Sequence, residues 1–217
     1  MIVITGASDG LGLEVAKLYQ AAGKTVVNIS RRESAAADIN ICLSLREGPE
    51  IEEAAKRVLE IDEPLEALIH CAAVLSIQPL AEVSEDEIKR LMSTNVKPMI
   101  LLTSKLIDRI RADETDIVNV SSTVGHKGYV DQAVYGASKW AVRGITKNLQ
   151  EEFKGKPNRV IGFCPGGFKT KMFEKATGID NTNDGSWMNA SDMARALKHT
   201  LDLPKNMEVS EIIINRK

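Results

Sequence analysis

Met1-Ile2-Val3-Ile4-Thr5-Gly6-Ala7-Ser8-Asp9-Gly10-Leu11-Gly12 opens the chain, and its reading decides the fold. Ile2–Thr5 is a β-branched, apolar run that predicts a strand buried on both faces, and a helical pattern from Gly10 to Ala22 follows it directly. Between them Gly6 and Gly10 let the backbone come close to a phosphate, while Gly12 permits tight packing of helix on strand. A helix start also offers unpaired N–H groups and the positive end of a dipole, both of which favour an anion. The glycine spacing differs from the G-x-G-x-x-G dinucleotide fingerprint, and a glycine-rich turn alone is as well read as a tight connection. Its position between a clear strand and a clear helix argues for the phosphate.

The rest of the chain repeats this alternation. Thr25–Ser30, Ile39–Leu45, Ala67–Cys71, Ile117–Ser121, Arg159–Cys164 and Val209–Ile214 read as further strands. Helical patterns cover Glu50–Leu59, Ser84–Arg111, Val134–Phe153 and Ala190–Asp202, with Ser84 and Ser191 as expected N-caps. Strands and helices in strict alternation predict an α/β protein, a Rossmann-like doubly wound parallel sheet of about seven strands with helices on both faces. Only six residues separate Arg32 from Ile39, too few for a crossover helix, so one such helix is expected to be short or absent. Phe173 to Asn189 reads as an irregular loop able to contact a substrate.

At 217 residues the chain is expected to form one domain over 1–217, without repeats or linkers. With 28 basic and 30 acidic side chains, the net charge of −2 gives no electrostatic case for nucleic acid or an anionic membrane, so a small-molecule partner is expected. The strand at the very start leaves no basic segment for a signal peptide, and no apolar run reaches membrane-spanning length, which points to the cytoplasm. Three cysteines, Cys42, Cys71 and Cys164, lack ligand-like spacing and predict neither a disulfide framework nor a metal site. His70 and Cys71 are adjacent on a strand, so their side chains point to opposite faces and do not make a catalytic pair.

A second stretch carries chemistry: Ser121-Ser122-Thr123 ends an apolar strand, and Tyr135-Gly136-Ala137-Ser138-Lys139 lies near the start of the following helix. Tyr135 and Lys139, four apart, share a helical face, and an ammonium beside a phenol is expected to lower the tyrosine pKa and make it a usable acid or base. On its own such a pair is usually a surface pair. The second strand ends in Ser30-Arg31-Arg32, with no acid to bind a ribose diol and two arginines suited to a 2′-phosphate, which argues for NADP(H) rather than NAD(H).

Four motifs in order then resemble the short-chain dehydrogenase/reductase family. They are Thr5-Gly6-x-x-x-Gly10-x-Gly12, Asn95, Ser122 with Tyr135-x-x-x-Lys139, and Pro165-Gly166-x-x-x-Thr170. The resemblance implies a nicotinamide-dependent oxidoreductase acting on a carbonyl or its alcohol. Tyr135 would exchange the proton, Lys139 would hold the nicotinamide ribose, Ser122 would polarise the reacting oxygen, and Asn95 would anchor a water. It places the cofactor against Gly6, Ser8, Asp9, Gly10, Leu11, Gly12, Arg31, Arg32, Ser44, Leu45, Cys71, Ala72, Tyr135, Lys139, Pro165, Gly166, Phe168 and Thr170. It also implies a homodimer or homotetramer.

The departures are equally specific. His70-Cys71-Ala72-Ala73 stands where the family has an Asn-Asn-Ala-Gly type segment, and Ser44-Leu45 stands where an Asp-Val pair is common. These changes, with the missing crossover helix, motivate a second reading: an NADPH-binding regulatory or interaction protein with weak catalysis. Val124, His126, Tyr129 and Val130, with Met172, Phe173, Trp187 and Met188, are the expected substrate surroundings.

Overall fold

The computed structural model describes every residue except Thr182. The strands are β1 (Ile2–Thr5), β2 (Val26–Ser30), β3 (Ile39–Cys42), β4 (Ala67–His70), β5 (Asp116–Val120), β6 (Val160–Pro165) and β7 (Glu211–Ile214). They form one seven-stranded sheet in the order β3-β2-β1-β4-β5-β6-β7, and every paired neighbour is parallel. The order reverses between β1 and β4, and a doubly wound sheet opens a crevice at the carboxyl ends of its strands at such a point.

Both faces are covered because alternate strand residues point to opposite sides. Ile4, Ile69, Val118 and Phe163 pack under α1 (Gly10–Ala21) and α8 (Ala190–Leu201). Val3, Leu68 and Ile117 face the other way, toward α2 (Gly48–Leu59), α4 (Lys97–Lys105) and the end of α6 (Ala133–Glu152). Each such fully buried aliphatic side chain contributes roughly 1.5–3 kcal/mol of transfer free energy.

Several boundaries differ from those read in the sequence. The long helix expected over Ser84–Arg111 is three: α3 (Glu85–Asn95), α4 and α5 (Ile107–Ala112). Val96 stretches the turn to φ −118° and Pro98 in the first turn of α4 has no N–H to continue the ladder. Ser84 caps α3 by accepting from the Glu87 amide, as expected. Ser191 does not cap α8; Asn189 precedes that helix, and its amide bonds Asp192 instead. The Phe173–Asn189 segment is not wholly irregular, since Lys171–Thr177 forms α7 and Gly178 ends it with φ +72°.

Between β2 and β3 there is no helix. Side chains replace it: Asn40 Oδ1 accepts from the Ser34 amide and from Asn28 Nδ2, both at 2.8 Å, and Asp38 accepts from the Val26 amide. Ala36 is buried against the α1–α8 layer.

His70, at the end of β4, is buried and its Nε2 lies 3.1 Å from Thr103 Oγ1 on α4. Burial lowers its pKa from 6.5 to about 3. The folded protein therefore keeps it neutral where the unfolded chain protonates it. Stability from this site is complete above pH 6.5 and falls by about 1.4 kcal/mol per pH unit as the pH drops toward 3. His70→Asn should remove that part of the acid-side loss, read as a flatter dependence of Tm on pH.

Candidate active site

A cleft of about 1000 Å³ runs across the carboxyl ends of the strands. One end is the turn after β1, where Gly6 has φ +77° and a Cβ added there would stand 3.0 Å from the Ala72 backbone. Gly12 is tighter: its Cβ would lie 2.4 Å from the Gly6 carbonyl oxygen. Asp9 caps α1 by accepting from the Gly10 amide at 2.8 Å. Arg31 and Arg32 line the cleft at the end of β2, and the Arg32 guanidinium stands 3.5 Å from Asp9. From the opposite rim Lys175 of α7 reaches within 3.6 Å of the same carboxylate, and Thr170 packs on Gly10. Ser8, Leu11, Ser44, Leu45, Cys71 and Ala72 also border the space. The Ser44 amide is taken by Glu50, and Leu45 is largely a core residue.

The other end is organised by β5 and α6. Ser122, just past β5, starts a short 3-10 turn over Thr123–Gly125 and accepts from the Val124 amide. It stands near enough to the Tyr135 phenol to favour the phenolate slightly. Ser121 turns away and donates to the Lys139 carbonyl at 2.9 Å, so the two adjacent serines have separate tasks. Lys139 is buried; its Nζ donates to the Val120 carbonyl at 2.9 Å and lies 5.8 Å from the centre of the Tyr135 ring.

The electrostatics depart from the expectation of a lowered tyrosine pKa. Burial pushes Tyr135 up to about 12, against a smaller opposing effect of the Ser122 hydroxyl. Burial likewise lowers Lys139 to about 8. In this geometry the ammonium is turned to a main-chain carbonyl, and desolvation dominates the phenol.

Pro165, Gly166, Phe168 and Thr170 border the cleft beyond β6. Phe168 also bridges through its backbone to Met188 and packs on the core. Of the site residues expected from the sequence, Asn95 alone stands behind the wall. Its amide donates to the Val74 carbonyl and Ser138 and accepts from the Val74 amide, so it braces the segment after β4. Val124, Tyr129, Met172, Phe173 and Trp187 line the cleft; His126, Val130 and Met188 do not. Sequence reasoning missed Gln78, Arg90, Lys127 and Arg216, which line it as well. Lys127, five residues after Ser122, was within reach of a sequence reading; Arg216 depends on β7 returning beside β6.

Residues 1–179 match the family described as short chain dehydrogenase. The chain belongs to this family. A sulfoacetaldehyde reductase of Chromohalobacter salexigens is 25% identical, over 98% of this chain and 92% of its own. A short-chain dehydrogenase/reductase structure from Vibrio parahaemolyticus is 28% identical and superposes with a TM-score of 0.85 over 100% of both chains. A serine dehydrogenase solved with NADP+ shares the fold at 23% identity, with a TM-score of 0.88 over 99% of this chain and 94% of its own. The chain is thus an oxidoreductase of the short-chain type, built on seven parallel strands. No helix among the described residues is long and apolar enough to cross a membrane.

The donor set suits a nicotinamide dinucleotide: a glycine cradle with room for a backbone contact, a helix start, two arginines at the β2 end and a buried lysine at the far end. Gly12→Ala should lower stability by roughly 1–3 kcal/mol or more, because the new methyl meets backbone that cannot yield. Gly128→Ala, where a Cβ meets nothing within 4 Å, is the control, and chemical denaturation compares the two.

Proposed function

We propose that the chain is an NADP(H)-dependent oxidoreductase that reduces the carbonyl of a small molecule, or oxidises the corresponding alcohol, with Tyr135 as the general acid or base. The observation that carries this reading is the convergence of Ser122, Tyr135 and Lys139 at one end of a cleft whose other end holds the glycine turn. By name, one relative is a reductase of an aldehyde, and a fold neighbour was solved with NADP+. Arg31 and Arg32 meet the 2′-phosphate in this reading, a phosphate competing with Asp9 for Arg32. The same reading takes residues 1–217 as one domain and places its activity in the cytoplasm.

When bound, the nicotinamide supplies or accepts the hydride. The protein's residues manage the proton and the position of the substrate. With a pKa of about 12, Tyr135 is fully protonated at neutral pH and can donate to a carbonyl oxygen as negative charge develops there. Ser122 hydrogen-bonds that same oxygen, so the charge forms against a fixed dipole. Lys139 is cationic below about pH 8 and stabilises the phenolate that remains after proton transfer. Asn95 keeps Val74, and with it the wall beside the site, in place.

Tyr135→Phe is expected to lower kcat for carbonyl reduction by about 10²–10⁴-fold while the protein still binds NADPH. Full activity in this variant would remove the mechanism. The rate of reduction should hold on the acid side of neutrality and fall as the pH rises through about 8, where Lys139 loses its proton. A pH–rate profile checks this, and Lys139→Met should lack the inflection. Arg31→Ala with Arg32→Ala should raise KM for NADPH far more than for NADH in steady-state assays.

The same reading includes a homodimer or homotetramer. Ile88, Ile100 and Trp140, exposed on α3, α4 and α6, offer apolar surface for it. Sedimentation at micromolar concentration should give more than a monomer.

A further inference from the structure

From the proposed reaction site the cleft continues toward β7. Val120 pairs with Phe163, Phe163 with Ile212 and Pro165 with Ile214, so the ends of β6 and β7 stand beside the chain that leaves β5 toward Ser122. Neighbouring strands lie about 4.8 Å apart, which brings the chain after Ile214 roughly two strand spacings from Ser122. The glycine turn lies in the opposite direction, since β1 is separated from β5 by β4. A cofactor seated on that turn reaches its reacting end near Ser122 and Tyr135, and the space toward β7 is left to the substrate.

This space has a charge character. Arg216 lies against the face of Trp187, its Cζ 4.7 Å from the ring centre, and its backbone passes close to Gly166. Lys127, on the turn after Ser122, stands with Nζ 5.2 Å from the centre of the Tyr129 ring. Neither forms a salt bridge with a described residue. Asp184 feels the Arg216 charge, but it is fully exposed and already accepts from the Ser186 amide. Arg90 differs from both, because Glu87 holds it at 2.6 Å and the Leu75 carbonyl takes a further donor. Gln78, on the segment after β4, lines the cleft as well; its main chain is fixed to the Asp131 carbonyl and its Nε2 is buried without a partner among the described residues.

Two exposed cations that rest on aromatic faces without an ion-pair partner among the described residues line the cleft, as does one orphaned buried amide donor. A buried donor left without a partner costs on the order of 1–3 kcal/mol, and a ligand that fills the gap recovers it. A carboxylate offers acceptors and opposite charge at once, and a guanidinium stacked on an indole keeps its donor fork free to meet it. We propose that the substrates are small oxo acids, whose carbonyl meets Tyr135 while the carboxylate is held by Lys127, Arg216 and Gln78 of the cleft lining. This assignment rests on the carbonyl-reductase reading above and narrows it.

The test compares 2-oxo, 3-oxo and 4-oxo carboxylates with their methyl esters, which keep shape and lose charge, in NADPH oxidation assays. The expected result is at least one acid favoured over its ester by about tenfold or more in kcat/KM, the size of one charge-assisted hydrogen bond. That ratio should shrink with added salt and fall several-fold in Lys127→Met, Arg216→Met and Gln78→Leu. Esters used as well as their acids, or a ratio unmoved by the variants, would overturn the oxo-acid assignment while leaving the reductase reading intact. Absence of turnover for acids and esters alike would count against the reductase reading itself. In that case calorimetric titration of the NADP+-loaded protein with the same acids decides the anion site. Saturable binding weakened in the three variants supports it, and no binding overturns it.

Discussion

The approach of α1 to the turn after β1 is the constraint on which the rest depends. With a Cβ at Gly12 only 2.4 Å from the Gly6 oxygen, any side chain there would push the helix off the strand. The contact fixes where α1 begins and so where its free N–H groups point. It also sets the seat of α8, which shares the layer of Ile4, Val15 and Leu197 with α1. Gly6 meanwhile lies against Ala72, tying the ends of β1 and β4 together at the point where the sheet reverses direction. The mouth of the cleft is therefore a product of backbone packing, with side chains added to it.

At the opposite end burial is the dominant force. Tyr135 packs with Leu91 and Val124, and the loss of water around the phenol sets its pKa, while the Lys139 ammonium is bonded to the Val120 carbonyl. The two groups are thus moved in opposite senses, the phenol toward its protonated form and the amine toward its neutral form. Both shifts have one cause, a medium in which charge is poorly solvated.

Much of this was legible in the sequence because periodicity and glycine spacing are local signals. The parallel sheet, the strand-to-helix turn at Gly6–Gly12 and the missing helix between β2 and β3 all follow from short-range patterns. The break at Val96 was hidden because a proline in the first turn of a helix looks the same as one that interrupts a longer helix. The tyrosine shift was misjudged since it depends on the direction in which Lys139 points and on what covers the ring, neither of which lies in the chain order. The β7-side residues of the cleft depend on a strand pairing formed between distant segments.

The turn that replaces a helix after β2 also bears on the order in which strands find one another. Residues 31 to 38 are all that separate β2 from β3, whereas a helical crossover inserts several more turns of chain before the next parallel strand. Loop-closure entropy rises with the logarithm of length, and parallel pairing is slow because that entropy is lost before contacts form. Here Asn28, Ser34 and Asn40 bind each other within a span of about a dozen residues, so the β2–β3 edge behaves as a nearly local unit. It is the part of a parallel sheet best suited to assemble early and to present β1 with a template.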